Sequence, residues 1–180
     1  MSVLVGYASE YGSTREIAER IAHTLEGHGL AAEVRSLDQV QNAVGYDAVV
    51  AGSAVHNMAW LGQAKQFVTH NRDVLADRPV WFFSVGMPAA LRRPLRKFAE
   101  TREASKVIAD FPAAIGPRDH RLFSGVYDRT QNASLFGRLL FKVVAGRYGD
   151  FRDWQKIDAW ANSIARALVA ESRDSSQHSP

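Results

Sequence analysis

The amino-acid sequence predicts an α/β fold in which a doubly wound, five-stranded parallel sheet carries helices on both faces. Short apolar runs alternate with helix-length amphipathic segments about five times, as is typical of parallel sheets with helical crossovers. Several apolar runs end in loops that contain glycine and serine, at residues 9–14, 52–60 and 84–88. The 180 residues, 46% of them hydrophobic, suffice for one buried core.

The individual elements follow from local patterns. Strands are predicted over 2–7, 32–37, 46–51, 80–85 and 121–127, the second of them at an edge of the sheet. Apolar residues at helical spacing predict helices over 13–28, 62–74, 94–108 and 153–170, and Asp153 is expected to cap the last one. We expect one domain over 1–171 and a disordered polar tail over 172–180.

Residues 128–152 form a predicted insertion between the fifth strand and the last helix. Within it, residues 135–147 combine an apolar face with Arg138, Lys142 and Arg147, and are too short to span a bilayer. This face fits either the core of the domain itself or a contact with a membrane surface, a quinone or a partner. The sequence contains no recognisable targeting segment, so we expect a cytoplasmic protein. If residues 135–147 contact a membrane, we expect peripheral contact at its inner face.

The composition excludes several chemistries. The chain has no cysteine, which removes disulfides, thiolate metal sites and the cysteine-dependent phosphatases and arsenate reductases of similar build. Its net charge of +3 is accompanied by no nucleic-acid-binding module, so no nucleic-acid partner is expected. Paired carboxylates, metal-ligand clusters and nucleophile–histidine pairs do not stand out, so we predict no catalytic side chain and no metal. A response regulator would need two adjacent acids after the first strand and an aspartate at the end of the third. This chain has the single acid Glu10 at the first place and Ser53 at the second, which excludes that class.

The loop after the first strand predicts an anion site. It places Ser9, Ser13 and Thr14 beside a helix start, where the first N–H groups lack intrahelical partners and favour an anion. The loop has neither the lysine of a phosphate-loop NTPase nor a G-x-G-x-x-G spacing. The anion that fits is a phosphate monoester held by hydroxyls and amides, such as that of flavin mononucleotide (FMN).

Ligands of open parallel sheets bind outside the carboxyl ends of the strands, where the strand order reverses. The candidate cofactor-binding residues therefore lie in four loops. They are Ser9, Glu10, Tyr11, Gly12, Ser13 and Thr14 after the first strand; Ser53, Ala54, Val55, His56, Asn57 and Trp60 after the third; Ser84, Val85, Gly86 and Met87 at the end of the fourth and beyond it; and Tyr127 at the end of the fifth.

Five residues near the start fall at a fixed spacing: Tyr7, Ser9, Gly12, Thr14 and Ala18. This spacing resembles the flavodoxin signature, and the resemblance covers about residues 2–170. Within that family the chain is similar to the menaquinone-dependent protoporphyrinogen oxidases and related actinobacterial proteins, through residues 9–18, 83–85 and the insertion. It departs from the signature at Gly6, and residues 55–60 lack the more basic, tyrosine-bearing loop of the oxidases.

The resemblance implies a flavodoxin-like strand order, 2-1-3-4-5, and FMN as the cofactor. It implies that backbone groups of residues 9–12 and the hydroxyls of Ser13 and Thr14 hold the phosphate, while residues 53–57 and 84–87 frame the isoalloxazine ring. Trp60 is the first candidate to stack on that ring and Tyr127 the second. For His56, a hydrogen bond to flavin or substrate stands beside a purely structural role.

The implied activity is electron transfer from a reduced small molecule, such as a porphyrinogen, through the flavin to a quinone or another redox partner. Two alternatives stay open. One is a flavodoxin-type carrier between redox proteins, although a pI of about 9.4 differs from the acidic character of such carriers. The other is a flavodoxin-like protein that holds a deazaflavin in the same phosphate loop.

Overall fold

The computed structural model describes residues 1–57, 59–86, 111–112, 114–127 and 149–177. The strands are β1 (Ser2–Ala8), β2 (Ala31–Ser36), β3 (Ala48–His56), β4 (Ala59–Trp60), β5 (Val80–Gly86), β6 (Asp119–Ser124), β7 (Val126–Tyr127) and β8 (Gly149–Asp150). The helices are α1 (Ser13–Gly27), α2 (Gly62–His70), α3 (Arg72–Ala76) and α4 (Trp154–Gln177), and a 3-10 turn covers Leu37–Gln39.

The main sheet has five parallel strands in the order β2-β1-β3-β5-β6. Counted among the parallel strands alone, this is the predicted order 2-1-3-4-5, so the expected fold class is confirmed. The two-residue strand β4 pairs antiparallel with β3, and β7 and β8 form a separate antiparallel pair. The order reverses at β1, which has β2 on one side and β3 on the other.

Apolar side chains of the sheet alternate between two cores. One core joins Val5 and Phe83 to Ile17 and Ile21 of α1 and to Ile164 of α4. The other joins alternate residues of the same strands to α2 and α3, with Leu4, Val49, Phe82, Phe67 and Leu75 among its members. Helices therefore cover both faces of the sheet, as predicted. Because its central strands are buried on two sides, they are apolar at nearly every position.

Several element boundaries differ from the predictions. β3 begins at Ala48 and continues to His56, five residues beyond the predicted end, because its last residues pair with β5 and then with β4. The predicted fifth strand starts two residues earlier, at Asp119, and is interrupted at Gly125. The disordered tail predicted from residue 172 is wrong up to Gln177, since α4 continues to that residue.

The helix predicted over 62–74 is broken at Asn71. The buried Asn71 amide donates to the Phe67 carbonyl oxygen at 3.0 Å, and its Oδ1 accepts the backbone N–H of Ala43 at 2.8 Å. An asparagine that binds the backbone in this way competes with the helical hydrogen-bond ladder. The chain therefore restarts as α3 and ties the segment before β3 to the α2–α3 junction.

Three predictions fall outside the described residues: the helix over 94–108, the apolar–basic helix over 135–147, and the placement of Met87. The predicted cap of the last helix is confirmed, since the Asp153 carboxylate accepts the backbone N–H of Lys156 at 3.2 Å. Among the helices in the described ranges, none has the length and apolar composition to cross a membrane.

Gly52 sits where two strands and a large aromatic ring meet. A Cβ placed on Gly52 would fall on the Phe83 ring, which is fully buried in the core. We therefore expect Gly52→Ala to destabilise the protein by about 1–3 kcal/mol, since the core must shift to accept a methyl group. Urea unfolding monitored by circular dichroism measures this loss.

The matched control is Gly27→Ala at the end of α1, where an added methyl group meets no atom within 4 Å. It should leave the protein as stable as the parent or slightly more stable, because alanine loses less conformational freedom on folding. Equal stability of the two variants would contradict the packing argument.

Candidate functional site

The carboxyl ends of the central strands lie side by side. Ala8 of β1 pairs with Ser53 of β3, and Ser53 pairs with Ser84 of β5. Beyond that row come the loop before α1, the end of β3, and the end of β5. Because parallel strands end at one edge, the predicted loops converge there, next to the reversal of strand order at β1.

The backbone conformation at Gly12 leaves the N-terminal end of α1 without a side-chain cap. Gly12 adopts a left-handed conformation, with φ of 91°, and precedes the helix without a side-chain cap. Its N–H donates to Ser9 Oγ at 3.0 Å, and its carbonyl oxygen accepts the N–H of Glu16 at 3.1 Å. The N–H groups of the first helical residues have no partner within the helix, so they are available to an anion.

Thr14 is the distinctive side chain of this helix start. It is fully buried, yet within the described part of the chain its Oγ1 has no hydrogen-bond partner. A buried hydroxyl without a partner costs about 1–3 kcal/mol. A hydroxyl donor beside unpaired backbone N–H groups is the donor set that binds phosphate oxygens, so the residues present fit a phosphate ester.

The connection after β6 closes one side of the helix start. The N–H of Gly125 donates to the Gly86 carbonyl oxygen at 3.0 Å. A Cβ placed on Gly125 would lie 3.0 Å from Ser13 Oγ and 2.9 Å from Val85 Cγ1, so only glycine fits without a shift. The backbone of Tyr127 lies in β7 near this junction, while the placement of its side chain is outside the described part.

The second predicted loop is a short hairpin. Val55 and His56 of β3 pair with Trp60 and Ala59 of β4, and Asn57 in the turn has a φ of 51°. His56 Nε2 lies 2.9 Å from Glu10 Oε2, which joins the hairpin to the loop before α1. Tyr11, the next residue after Glu10, is 53% exposed. The pKa of its phenol is raised, mainly by desolvation and to a smaller extent by the Glu10 carboxylate.

Three residues expected to touch the flavin ring instead support the loops from behind. Trp60 is only 3% exposed and packs edge-on against Phe82 and Phe111, so its indole ring is occupied by these contacts and is not presented at the surface. Its Nε1 donates to Ser84 Oγ at 2.8 Å. The buried Ser53 hydroxyl is also used internally, accepting the Leu61 N–H at 3.0 Å and donating to the Ala54 carbonyl oxygen at 2.8 Å.

His120 completes the chain of hydrogen bonds behind the site. Ser84 Oγ, which accepts the Trp60 N–H, also lies 2.9 Å from His120 Nε2, within hydrogen-bond distance. The other ring nitrogen, Nδ1, is buried and has no hydrogen-bond partner in the described ranges. Burial lowers the pKa of His120 to about 4, so the imidazole is neutral near pH 7.

The remaining predicted residues lie where the strands end, with little chemistry of their own. Ala54 and Val85 face each other across β3 and β5, and the Val85 side chain belongs to the core. Gly86 ends β5. Two residues near the site escaped the sequence analysis: His120, which only the alternation of faces in a correctly placed β6 would have indicated, and Arg152, which carries no local signal.

Comparison with known proteins agrees with this architecture. The sequence pattern of the family described as "Flavodoxin domain" matches residues 4–151. The chain belongs to the flavodoxin-domain family. It is 27% identical over 177 residues to the protoporphyrinogen IX dehydrogenase [quinone] of Escherichia coli (strain K12), an alignment that covers 92% of this chain and 95% of that protein.

Solved structures give the same fold at low sequence identity. A point mutant of the flavodoxin from Pseudomonas aeruginosa superposes with a TM-score of 0.58 at 17% identity, covering 93% of this chain and 99% of the flavodoxin. The rubredoxin oxygen:oxidoreductase of the anaerobe Desulfovibrio gigas gives 0.60 at 16% identity. That match covers 94% of this flavodoxin-domain protein but only 36% of the longer D. gigas chain.

The neutral state of His120 predicts an acid-dependent loss of stability. Its pKa of about 4 in the fold lies below the ordinary value of about 6.5, so the unfolded chain binds the proton more tightly between these pH values. The contribution of His120 to stability is therefore complete above pH 6.5 and is lost as the pH falls toward 4. The loss amounts to about 3 kcal/mol.

Unfolding free energies measured in urea from pH 7 to pH 4.5 test this prediction. His120→Gln should flatten the decline relative to the wild type, whereas His70→Gln, a change at an exposed histidine, should keep the wild-type pH dependence. Parallel curves for His120→Gln and the wild type would show that His120 does not titrate as the buried hydrogen-bond chain requires.

Proposed function

We propose that this flavodoxin-domain protein binds FMN and acts as an oxidoreductase that passes electrons from a reduced small molecule to a quinone. The observation that carries the proposal is the buried hydroxyl of Thr14 at the start of α1, which has no hydrogen-bond partner among the residues that the structure describes. A phosphate ester would supply an acceptor for this hydroxyl, together with acceptors for the first N–H groups of the helix.

In this proposal the binding site divides into two parts. The hydroxyls of Ser13 and Thr14 and the backbone of residues 9–12 hold the phosphate. Residues 54–57 and 85–86 border the isoalloxazine ring, while the buried side chains of Ser53, Trp60 and Ser84 fix the loops from behind. Bound flavin supplies the redox chemistry, and the protein contributes position and exclusion of water.

The substrate and the acceptor are proposed from the E. coli relative, whose name specifies protoporphyrinogen IX and a quinone and whose whole length is nearly covered. By this similarity the donor is a porphyrinogen and the acceptor is menaquinone or a related quinone. The cytoplasmic location stays a prediction. The peripheral membrane contact through 135–147 also stays a prediction, because those residues lie outside the described ranges.

An anaerobic titration tests the proposed activity. The FMN-loaded protein is mixed with protoporphyrinogen IX and then with menaquinone, while the flavin absorbance near its visible maximum is followed. Loss of the band with the porphyrinogen and its return with the quinone would support the oxidoreductase. A flavin that responds to neither, but accepts single electrons from a reductase, would place the protein among the carriers. Tighter binding of a deazaflavin than of FMN would reassign the cofactor.

The phosphate site is tested by Thr14→Val, which replaces the hydroxyl by a methyl group of similar size. We expect FMN affinity to fall roughly tenfold, or by about 1.4 kcal/mol, and riboflavin affinity to stay constant because riboflavin has no phosphate. Stability of the flavin-free protein should stay constant or rise, since the variant removes a buried polar atom without a partner.

Two variants serve as controls for this titration. Thr14→Ser keeps the hydroxyl and should retain most of the affinity. Thr24→Val changes a threonine on the same helix whose hydroxyl donates to the Arg20 carbonyl oxygen, and should not change FMN binding. Unaltered FMN affinity in Thr14→Val would contradict the proposal that the phosphate binds at this helix start.

A further inference from the structure

Arg152, between β8 and α4, has a partner for each nitrogen of its guanidinium. Its side chain is only 11% exposed. The guanidinium binds both oxygens of Asp150, with Nε–Oδ1 of 2.9 Å and Nη2–Oδ2 of 2.7 Å, and it lies 4.7 Å from the centre of the Trp154 ring. Its remaining nitrogen, Nη1, donates to the carboxylate of Glu16.

Glu16 is the acidic residue in the first turn of α1, two positions after Thr14. A carboxylate there interacts favourably with the helix dipole, but it also repels a second anion at the same helix end. The contact with Arg152 therefore sets how much negative charge an incoming phosphate ester meets. Counting formal charges, Arg152 with Asp150 and Glu16 gives a net charge of −1.

The segment that carries Arg152 is fixed to the helix start by backbone contacts as well. The N–H of Phe151 donates to the Gly125 carbonyl oxygen at 3.2 Å, and Gly125 itself packs against Ser13. β8, which ends at Asp150, pairs with β7 directly after Gly125. The contact between Phe151 and Gly125, which lies next to Ser13, therefore positions Arg152 beside Glu16. Ser13 is the residue adjacent to Thr14.

We propose that Arg152 is a positioning residue for the phosphate ester, acting by neutralising Glu16 at the start of α1. The proposal rests on the proposed function, since it concerns how tightly that site holds a phosphate. It makes the formal charge of the Arg152–Asp150–Glu16 cluster the quantity that controls the phosphate-dependent part of the affinity. The ring end of the site is not involved.

The test is a set of variants that change this charge in steps. Arg152→Met keeps an apolar stem against Trp154 and takes the cluster to −2, Glu16→Gln takes it to 0, and the double variant returns it to −1. We expect FMN affinity to fall about two- to fivefold in Arg152→Met, to rise by a similar factor in Glu16→Gln, and to return to the wild-type value in the double variant. Arg152→Lys keeps the charge and should bind FMN nearly as the wild type does.

Riboflavin distinguishes this effect from a structural one. Its affinity should be the same for every member of the set, and the differences in FMN affinity should shrink as salt is raised. Parallel losses of FMN and riboflavin in Arg152→Met, without recovery in the double variant, would overturn the proposal and leave Arg152 a structural clasp. Should Arg152→Met fail to fold, a Glu16→Gln protein that binds FMN no more tightly than the wild type would overturn it equally.

The wild-type protein separates this proposal from the function on which it rests. Equal affinity of the wild type for FMN and riboflavin would refute the phosphate site itself. A clear preference of the wild type for FMN, combined with identical FMN affinities across the charge series, would keep the phosphate site and refute only the role of Arg152.

Discussion

The parallel pairing of β1 with β3 is the constraint on which the rest of the structure depends. It places Ala8 beside Ser53 at the edge where the strand order reverses. Because α1 follows β1 after only a short loop, its unpaired N–H groups open at that reversal and not elsewhere on the surface. Gly52 keeps β3 compatible with the Phe83 ring beneath it, so the position of the helix start is set by the core.

Buried hydroxyl groups distinguish the support of the site from the site itself. Those of Ser53 and Ser84 each have two partners, and both serve to fasten the β3–β4 hairpin to the sheet. The Thr14 hydroxyl has none among the described residues. Buried polar groups in folded proteins are nearly always satisfied, and this exception lies beside N–H groups that have no partner within the helix, which is the reason for proposing a phosphate site there.

Sequence reasoning succeeded where the signal is local and failed where it depends on distant partners. The β1–loop–α1 unit follows from an apolar run, a polar loop and helical periodicity within a few residues of one another, whereas the sheet order is available only from the family resemblance. The fate of Trp60 depends on Ser84 and Phe82, which lie more than 20 residues along the chain. The bond from Arg152 to Glu16 spans 136 residues, and no pattern near either residue indicates it.

The proposed selectivity for a phosphate ester depends on neutral donors at the helix start more than on the net charge. Around α1, Arg15 binds Glu19, Arg20 binds Asp158, and Arg152 binds Glu16 and Asp150. Because these described cations are already paired with carboxylates, they attract bulk anions weakly. Hydroxyl and N–H donors act only at hydrogen-bond distance and in fixed directions. In the proposed site, a phosphate ester would therefore be recognised by its shape and its acceptors, and the proposed role of Arg152 is to limit the repulsion that the ester meets.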